Sequence, residues 1–264
     1  MQKVLTIAGS DTSGGAGIQA DLKTFQELNV YGMTSLTTIV TMNPENWQHQ
    51  VFPINIDALE SQLQTAFSVG IDAVKTGMLG SVDVIELAAK YIDKYEMERV
   101  VIDPVMVCKG ENEVLHPETT EALRDILVKR ALVVTPNLFE ASQLAKCEPI
   151  KTIEDMKEAA KAIHELGAKN VFIKGGKQLQ HEKAVDLLFD GKEYRLFEAE
   201  KVDTTYNHGA GCTTAAAITA EIAKGRTVED AVAVAKQFIS KAVRHGFRLN
   251  SFVGPVMHAA HRRF

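Results

Sequence analysis

The 264-residue chain has only three cysteines, Cys108, Cys147 and Cys212. An odd, unpatterned set of that size supports neither a disulfide framework nor a zinc site, so all three are expected as reduced thiols. Charge of one sign is lacking too. Against 34 acidic residues stand 29 basic ones, for a net charge of -5, which leaves no electrostatic footprint for DNA, RNA or an anionic membrane. No run of about 18 apolar residues occurs, and Met1-Gln2-Lys3 leads straight into a strand-like run instead of a signal-peptide core. A cytoplasmic location is expected. Neither a G-x-G-x-x-G fingerprint nor a G-x-x-x-x-G-K-[ST] loop is present, which disfavours a Rossmann dehydrogenase and a P-loop NTPase. With no internal repeat, low-complexity tract or linker, residues 1–264 read as one domain.

What is present is a strong alternation. The composition, 45% hydrophobic and 24% charged, suits a full buried core and small-molecule chemistry. Short runs rich in β-branched residues predict buried strands at Val4 to Ala8, Thr34 to Thr41, Ala73 to Thr76, Val100 to Asp103, Leu132 to Thr135 and Val171 to Lys174. Helical patterns follow most of them. Thr152 with Asp155 opens one helix, whose apolar residues Ile153, Met156, Ala160, Ile163 and Leu166 recur every three to four positions until Gly167. Thr227 with Asp230 opens another, running to Gly246. The Asp190-Gly191 pair marks a late hairpin. Such alternation implies a largely parallel sheet covered on both faces.

In open parallel sheets ligands bind beyond the carboxyl ends of the strands. Those ends are unusually polar here: Gly9 to Gly17, Thr41-Met42-Asn43, Thr76-Gly77-Met78, Asp103 to Lys109, Thr135 to Glu140, and Lys174-Gly175-Gly176-Lys177. The most informative stretch is Asn207 to Thr213, a glycine-rich loop entering the alanine-rich segment Thr214 to Ala223. Small residues let the backbone approach an anion, and the helix that follows offers free amides and a positive dipole end. At the end of this cradle a helix N-terminus is expected to draw the Cys212 thiol from its usual value toward neutrality.

Several of these signals have two readings. Gly14 to Gly17 suits a ligand loop or a tight strand-to-helix turn. Asn137 and Glu140 could hold a hydrated magnesium ion, which needs only one or two carboxylates besides phosphate oxygens and waters; the same pair could equally be a helix cap. Lys174 could neutralise nucleotide phosphates or simply be solvated, and Asp103 before Pro104 could lie at a metal or form a turn.

Taken together, Thr6 to Asp11, Ser13 to Thr24 and Gly254-Pro255-Val256 carry a similarity over nearly the whole chain. The sequence resembles the ribokinase-like superfamily and, within it, the branch of hydroxymethylpyrimidine (phosphate) kinases and the pyridoxal kinases related to them. The resemblance implies a three-layer α/β/α sandwich with a central mostly parallel sheet and small lid or flap elements. It implies ATP with Mg²⁺ as phosphoryl donor, a primary alcohol on an aromatic nitrogen heterocycle as acceptor, and a homodimer. By the same resemblance Gly209, Ala210, Gly211 and Cys212 form an anion hole, and Cys212 is the catalytic base. Asn137, Glu140, Lys174, Gly175, Gly176, Lys177 and Thr205 lie along the nucleotide, with Glu140 and Asp103 at the metal. Gly9, Asp11, Asp21, Met42 and Val105 belong to the heterocycle site.

Two departures from the branch bear on the acceptor. Where the pyrimidine kinases usually carry a glutamate that recognises the aminopyrimidine edge, this chain has Met42, and a thioether cannot pair with an exocyclic amine as a carboxylate can. Loss of a charge-assisted contact of about 1.5 to 3 kcal/mol disfavours the aminopyrimidine and suits a methyl-bearing pyridine. In the loop after Asp103, Cys108 replaces a small residue and could add reversibly to the aldehyde of pyridoxal under a closing lid. The expected activity is phosphorylation of the 5'-hydroxyl of pyridoxal, extending to pyridoxine and pyridoxamine. The alternatives are a hydroxymethylpyrimidine kinase of thiamine synthesis and, from another class, a silent vitamer-binding protein.

Overall fold

The computed structural model of the chain describes residues 1–106 and 117–264. In chain order its elements are β1 (Lys3–Asp11), α1 (Gly17–Glu27), β2 (Tyr31–Met42), β3 (His49–Pro53), α2 (Ile56–Ser68), β4 (Ala73–Thr76), α3 (Val82–Lys94) and β5 (Val100–Ile102). Then follow α4 (Pro117–Ala122), a short π and 3₁₀ continuation to Arg130, β6 (Val133–Val134), α5 (Leu138–Ala145), α6 (Ile153–Glu165) and β7 (Val171–Lys174). The hairpin β8 (Ala184–Phe189) and β9 (Tyr194–Ala199) precedes α7 (Ala210–Ala223), α8 (Val228–Arg244) and α9 (Ala260–Arg263).

The strands form one sheet in the order β3-β2-β1-β4-β5-β6-β7-β8-β9. From β2 to β7 all neighbours are parallel, while β3 at one edge and β8 and β9 at the other are antiparallel. Strand period sorts the central side chains onto two faces. Leu5, Ile7, Val74, Val100, Ile102 and Ile173 join the core beneath α2, α3, α5 and α6. Val4, Ala73, Val101, Val133 and Phe172 pack instead against α1, α7 and α8. The expected three-layer sandwich with a mostly parallel sheet is what these layers make.

Local chemistry sets the helix ends. Thr152 and Asp155 close the reciprocal capping box of α6, with Asp155 N donating to Thr152 Oγ1 at 3.1 Å and Thr152 N to Asp155 Oδ2 at 2.9 Å. Thr227 Oγ1 accepts from Asp230 N at the start of α8. Helix α7, rich in alanine, is buried from Thr213 to Ala223, and its buried Glu221 is paired with Lys224 and Arg226. It starts four residues earlier than its alanine-rich core suggests, so Cys212 sits within its first turn.

Two differences from the predicted elements have clear causes. The edge strand β3 was not anticipated, because His49-Gln50-Val51-Phe52-Pro53 is short, mixed and ends in proline, as edge strands tolerate. Strands β1 and β2 run longer than their apolar runs, since Ser10 and Asp11 still pair with Ile39 and Val40 beyond an irregularity in register.

Candidate active site

After β1 the chain turns to one side of the sheet to make β2 and β3, and later returns to the other side to make β4. The split between β1 and β4 is a topological switch point, where the carboxyl ends of parallel strands leave a crevice. A cavity of about 840 Å³ opens there. Its wall includes Gly9, Asp11, Met42, Met78 and Val105 in one arm and Gly175, Gly176, Lys177, Ala199 and Val202 in the other. Between the arms lie Asp103, Asn137, Glu140, Lys174 and the loop from Gly209 to Cys212.

Two glycine-rich loops press together at the junction, and their glycines are obligatory. Gly209 caps α7 at a φ of 81°, and a Cβ there would lie 1.7 Å from the carbonyl oxygen of Gly15. Gly17 starts α1 at a φ of 55°, with space for a Cβ closed by the Gly9 carbonyl at 2.3 Å. A histidine ties the loops: His208 Nε2 lies 2.7 Å from Asp11 Oδ2. Asp11 also accepts from the amides of Ser13 and Ala16, each at 2.8 Å. Both carboxylate oxygens thus help to shape the loop, and Oδ1, with a single donor, keeps acceptor capacity in the cavity wall. Burial alone would raise the Asp11 carboxyl, but His208 and these donors outweigh it and hold it at about 2. The carboxylate expected at the heterocycle thus also clasps the two loops together.

Of the four residues expected for the anion hole, Ala210 has its amide already engaged. Ala210 N donates to the Asn207 carbonyl at 3.1 Å, whereas Gly211 and Cys212 precede the first intrahelical bond, made by Thr213 N to Gly209 O at 2.9 Å. Amides in that position, at the positive end of the helix dipole, are the ones an anion can use.

The expected acidity of Cys212 is reversed. Burial pushes the thiol up to about 12, with Asp103 and Asp21 adding to the rise, while Lys75 and the Gly17 amide pull the other way. Helix-dipole help falls short because the sulfur has little water around it and two carboxylates nearby.

Asp21 lies behind the cavity wall. It is fully buried, accepting from Thr6 Oγ1 at 2.7 Å and pairing with Lys75 Nζ at 3.0 Å. Lys174 is not simply solvated either: its Nζ lies 2.7 Å from Asp103 Oδ1, which also accepts from Thr135 Oγ1 at 3.2 Å. Asn137 and Glu140 form a capping box, with Glu140 N donating to Asn137 Oδ1 at 2.9 Å and Asn137 N to Glu140 Oε2 at 2.8 Å. The cap does not exclude a cation, because Glu140 remains in the cavity wall beside Lys174 and Asp103. Burial raises its carboxyl to about 7, with Asp103 adding to the rise and Lys174 opposing it. Among the described residues no cluster of three or more His, Cys, Asp or Glu side chains could hold a metal by itself. Two neighbouring carboxylates without a protein cage fit an ion that keeps its waters and shares phosphate oxygens.

Thr205 is exposed and outside the cavity wall, which its neighbour Thr204 joins. Cys108 falls outside the described residues. Sequence reasoning missed His208, Lys75, His49 and the Lys236–Asp186 pair at 2.8 Å. Only Lys75 left a signal, a lone charge inside an apolar strand run followed by Thr76-Gly77. The others depend on which loops meet.

With this geometry in hand, comparison with known proteins assigns the family. The profile of the family described as phosphomethylpyrimidine kinase matches residues 11–257, and the chain belongs to that family. It is 61% identical to the pyridoxine kinase of Bacillus subtilis over 264 residues, covering 99% of this chain and 97% of the relative. It is 43% identical to the hydroxymethylpyrimidine/phosphomethylpyrimidine kinase of the same organism over 262 residues, covering 99% and 96%. Among solved structures, the pyridoxal kinase of Staphylococcus aureus in complex with AMP-PCP and pyridoxal superposes with a TM-score of 0.95 at 50% identity, over 100% of this chain and 96% of that one.

Proposed function

We propose that this protein is a pyridoxal kinase that transfers the γ-phosphoryl group of ATP to the 5'-hydroxyl of pyridoxal, and accepts pyridoxine and pyridoxamine. The observation that carries this reading is one continuous cavity in which Met42 lines the arm beside Gly9, while the first-turn amides of α7 lie at the junction with the arm of Gly175 and Gly176. Similarity to enzymes of both vitamin classes supports a heterocyclic alcohol as acceptor. Met42 favours the pyridine, because it offers no carboxylate to an exocyclic amine.

The amides of Gly211 and Cys212 hold the oxygens of the transferring group, where each such donor is worth about 2.7 to 4 kcal/mol. Cys212 is the acceptor of the alcohol proton in its thiolate form only, a form that burial of the thiol disfavours at neutral pH. Lys174 can exchange its bond to Asp103 for a phosphate oxygen and so leave Asp103 free beside Glu140. Those two carboxylates, with phosphate oxygens and water, would hold Mg²⁺, which neutralises phosphate charge when bound. The whole chain acts as one kinase domain in the cytoplasm. It pairs as a homodimer through the β3 edge, where Val51 and Phe52 are 40% and 52% exposed, since a bare apolar edge invites a partner. Light scattering reports the pairing; a monomer at micromolar concentration would refute it.

The discriminating experiment is a side-by-side kcat/KM on pyridoxal and hydroxymethylpyrimidine. The expected result is a preference for pyridoxal, and Met42→Glu is expected to shift the ratio toward the pyrimidine. A large preference of the unaltered enzyme for the pyrimidine overturns the assignment. The shared anion hole and the 43% identity to the pyrimidine kinase make weaker pyrimidine phosphorylation a natural second activity.

A further inference from the structure

Strand β8 reads Ala184-Val185-Asp186-Leu187-Leu188-Phe189, an apolar run interrupted by a single charge. Val185, Leu187 and Phe189 join the core beneath α2, α3, α5 and α6, so Asp186 and Leu188 face the layer of α7 and α8. There Lys236, equally isolated among the buried Ala231, Val232, Ala235 and Phe238 of α8, places Nζ 2.8 Å from Asp186 Oδ2 and 3.0 Å from the Ala184 carbonyl oxygen. The lysine is 10% exposed and the aspartate 8%. As core filling such a pair is a poor choice, since well-packed apolar residues often serve as well. Both side chains, however, lie in the cavity wall.

Asp186 has a second partner, and it belongs to the arm of Gly175 and Gly176. Oδ1 accepts from the Gly176 amide at 3.3 Å. Gly176 turns at a φ of 53°, and a Cβ on Gly175 would lie 2.2 Å from the Val185 carbonyl oxygen, so the turn that ends β7 is pressed against β8 with no side chain between. The same aspartate stands directly opposite Lys174 in the register of β7 and β8. Lys174 Nζ nevertheless goes to Asp103 at 2.7 Å, and it is Lys236 that answers Asp186. These four side chains all line the cavity and carry no net charge between them.

We propose that Asp186 is a positioning residue for the nucleotide, holding the Gly175-Gly176 turn in place through the Gly176 amide, and that Lys236 is its counter-charge, which keeps the carboxylate from repelling a polyphosphate in the same arm. This rests on the reading that the arm of Gly175 and Gly176 receives ATP. A carboxylate suits the task of gripping an amide, because an anion accepts more strongly than a neutral oxygen. In an arm that admits several phosphate charges the same anion is a liability unless a cation neutralises it, since like charges brought close oppose binding. Because Lys236 answers Asp186, Lys174 need not, and it stays available to exchange Asp103 for a phosphate oxygen.

The test measures binding of ADP to the full-length protein by isothermal titration calorimetry, alongside steady-state kinetics with ATP and pyridoxal. Lys236→Met leaves the carboxylate bare and is expected to weaken ADP binding about tenfold. It raises KM for ATP by a similar factor, with kcat and KM for pyridoxal little changed. Asp186→Asn keeps an acceptor for Gly176 and is expected to bind ADP at least as tightly as the unaltered protein. Asp186→Ala, equally uncharged but without the acceptor, is expected to bind it about threefold more weakly than Asp186→Asn. The deciding variant joins Lys236→Met to Asp186→Asn: with both charges gone, ADP affinity is expected to return to within about twofold of the unaltered value. A lysine that touched the phosphates itself would show no such rescue, and a pair serving stability alone would leave ADP affinity unmoved in every folded variant. Lack of rescue, unmoved affinity in Lys236→Met, or equal affinities of the two Asp186 variants overturns the proposal. Should Lys236→Met fail to fold, the two Asp186 variants decide: weaker binding by the alanine than by the asparagine supports it, and equal or reversed affinities refute it. Failure of the unaltered protein to bind ADP would instead overturn the assignment of this arm to the nucleotide.

Discussion

Two lysines near the carboxyl ends of two strands line the same cavity, and each pairs with an aspartate. Lys75 on β4 pairs with Asp21 at 3.0 Å with neither side chain exposed, while Lys174 on β7 pairs with Asp103 at 2.7 Å with exposures of 14% and 2%. Identical chemistry thus sits in two settings. The partner of Lys75 comes from α1 behind the sheet and is pinned by Thr6, so the pair has nothing to exchange with. The partner of Lys174 lies on the cavity floor beside Glu140, where phosphate oxygens can replace it. One pair is built to stay and the other to open, and burial, not residue type, makes the difference.

The comparison breaks most directly by removing each cation. Lys75→Met strands a buried carboxylate and is expected to cost about 3 to 5 kcal/mol in urea unfolding at neutral pH. Lys174→Met is expected to cost less than half of that, because Asp103 keeps Thr135 and faces the cavity; its effect goes to the nucleotide as a raised KM for ATP. Equal stability losses would show that the two pairs are equivalent.

A third pair extends the scale. The Asp11 carboxyl sits at about 2 in the folded protein against 3.8 ordinarily. A depressed acid stabilises the fold above its unfolded value and loses that contribution as pH falls through its folded value. About 2 kcal/mol should therefore vanish between pH 5 and pH 2. Comparing the acid unfolding of the unaltered protein with that of Asp11→Asn checks this: the variant should lack that part of the pH slope. The smallest effect is one of selectivity. If Cys108 adds to the aldehyde, Cys108→Ala lowers kcat/KM for pyridoxal more than for pyridoxine, and equal losses on both refute it.

Much of the architecture was legible in local pattern. Buried strands announce themselves as β-branched runs, and Ala73 to Thr76 and Val171 to Lys174 coincide with β4 and β7. Helix caps such as Thr152 with Asp155 act within four residues, so spacing suffices to find them. The glycine loop before α7 was equally visible, since only glycine permits a φ of 81° with another backbone packed against it.

The charges were not legible. Asp21 and Asp11 were both expected at the acceptor; Asp21 is sealed behind the cavity wall, while Asp11 stays in that wall but is also tied to His208, 197 positions away. No spacing rule links such distant residues, because only the folding of α1 and α7 against one face brings them together. The acidity of Cys212 turned on the same distinction. The sequence by itself determined the layers, the strand ends that face the ligand and the glycine-lined anion hole, because period and backbone freedom are local properties. The tertiary structure alone decided which carboxylates are spent, which lysine can let go of its partner and how hard the thiol is to ionise, because those depend on what burial puts within a few ångströms.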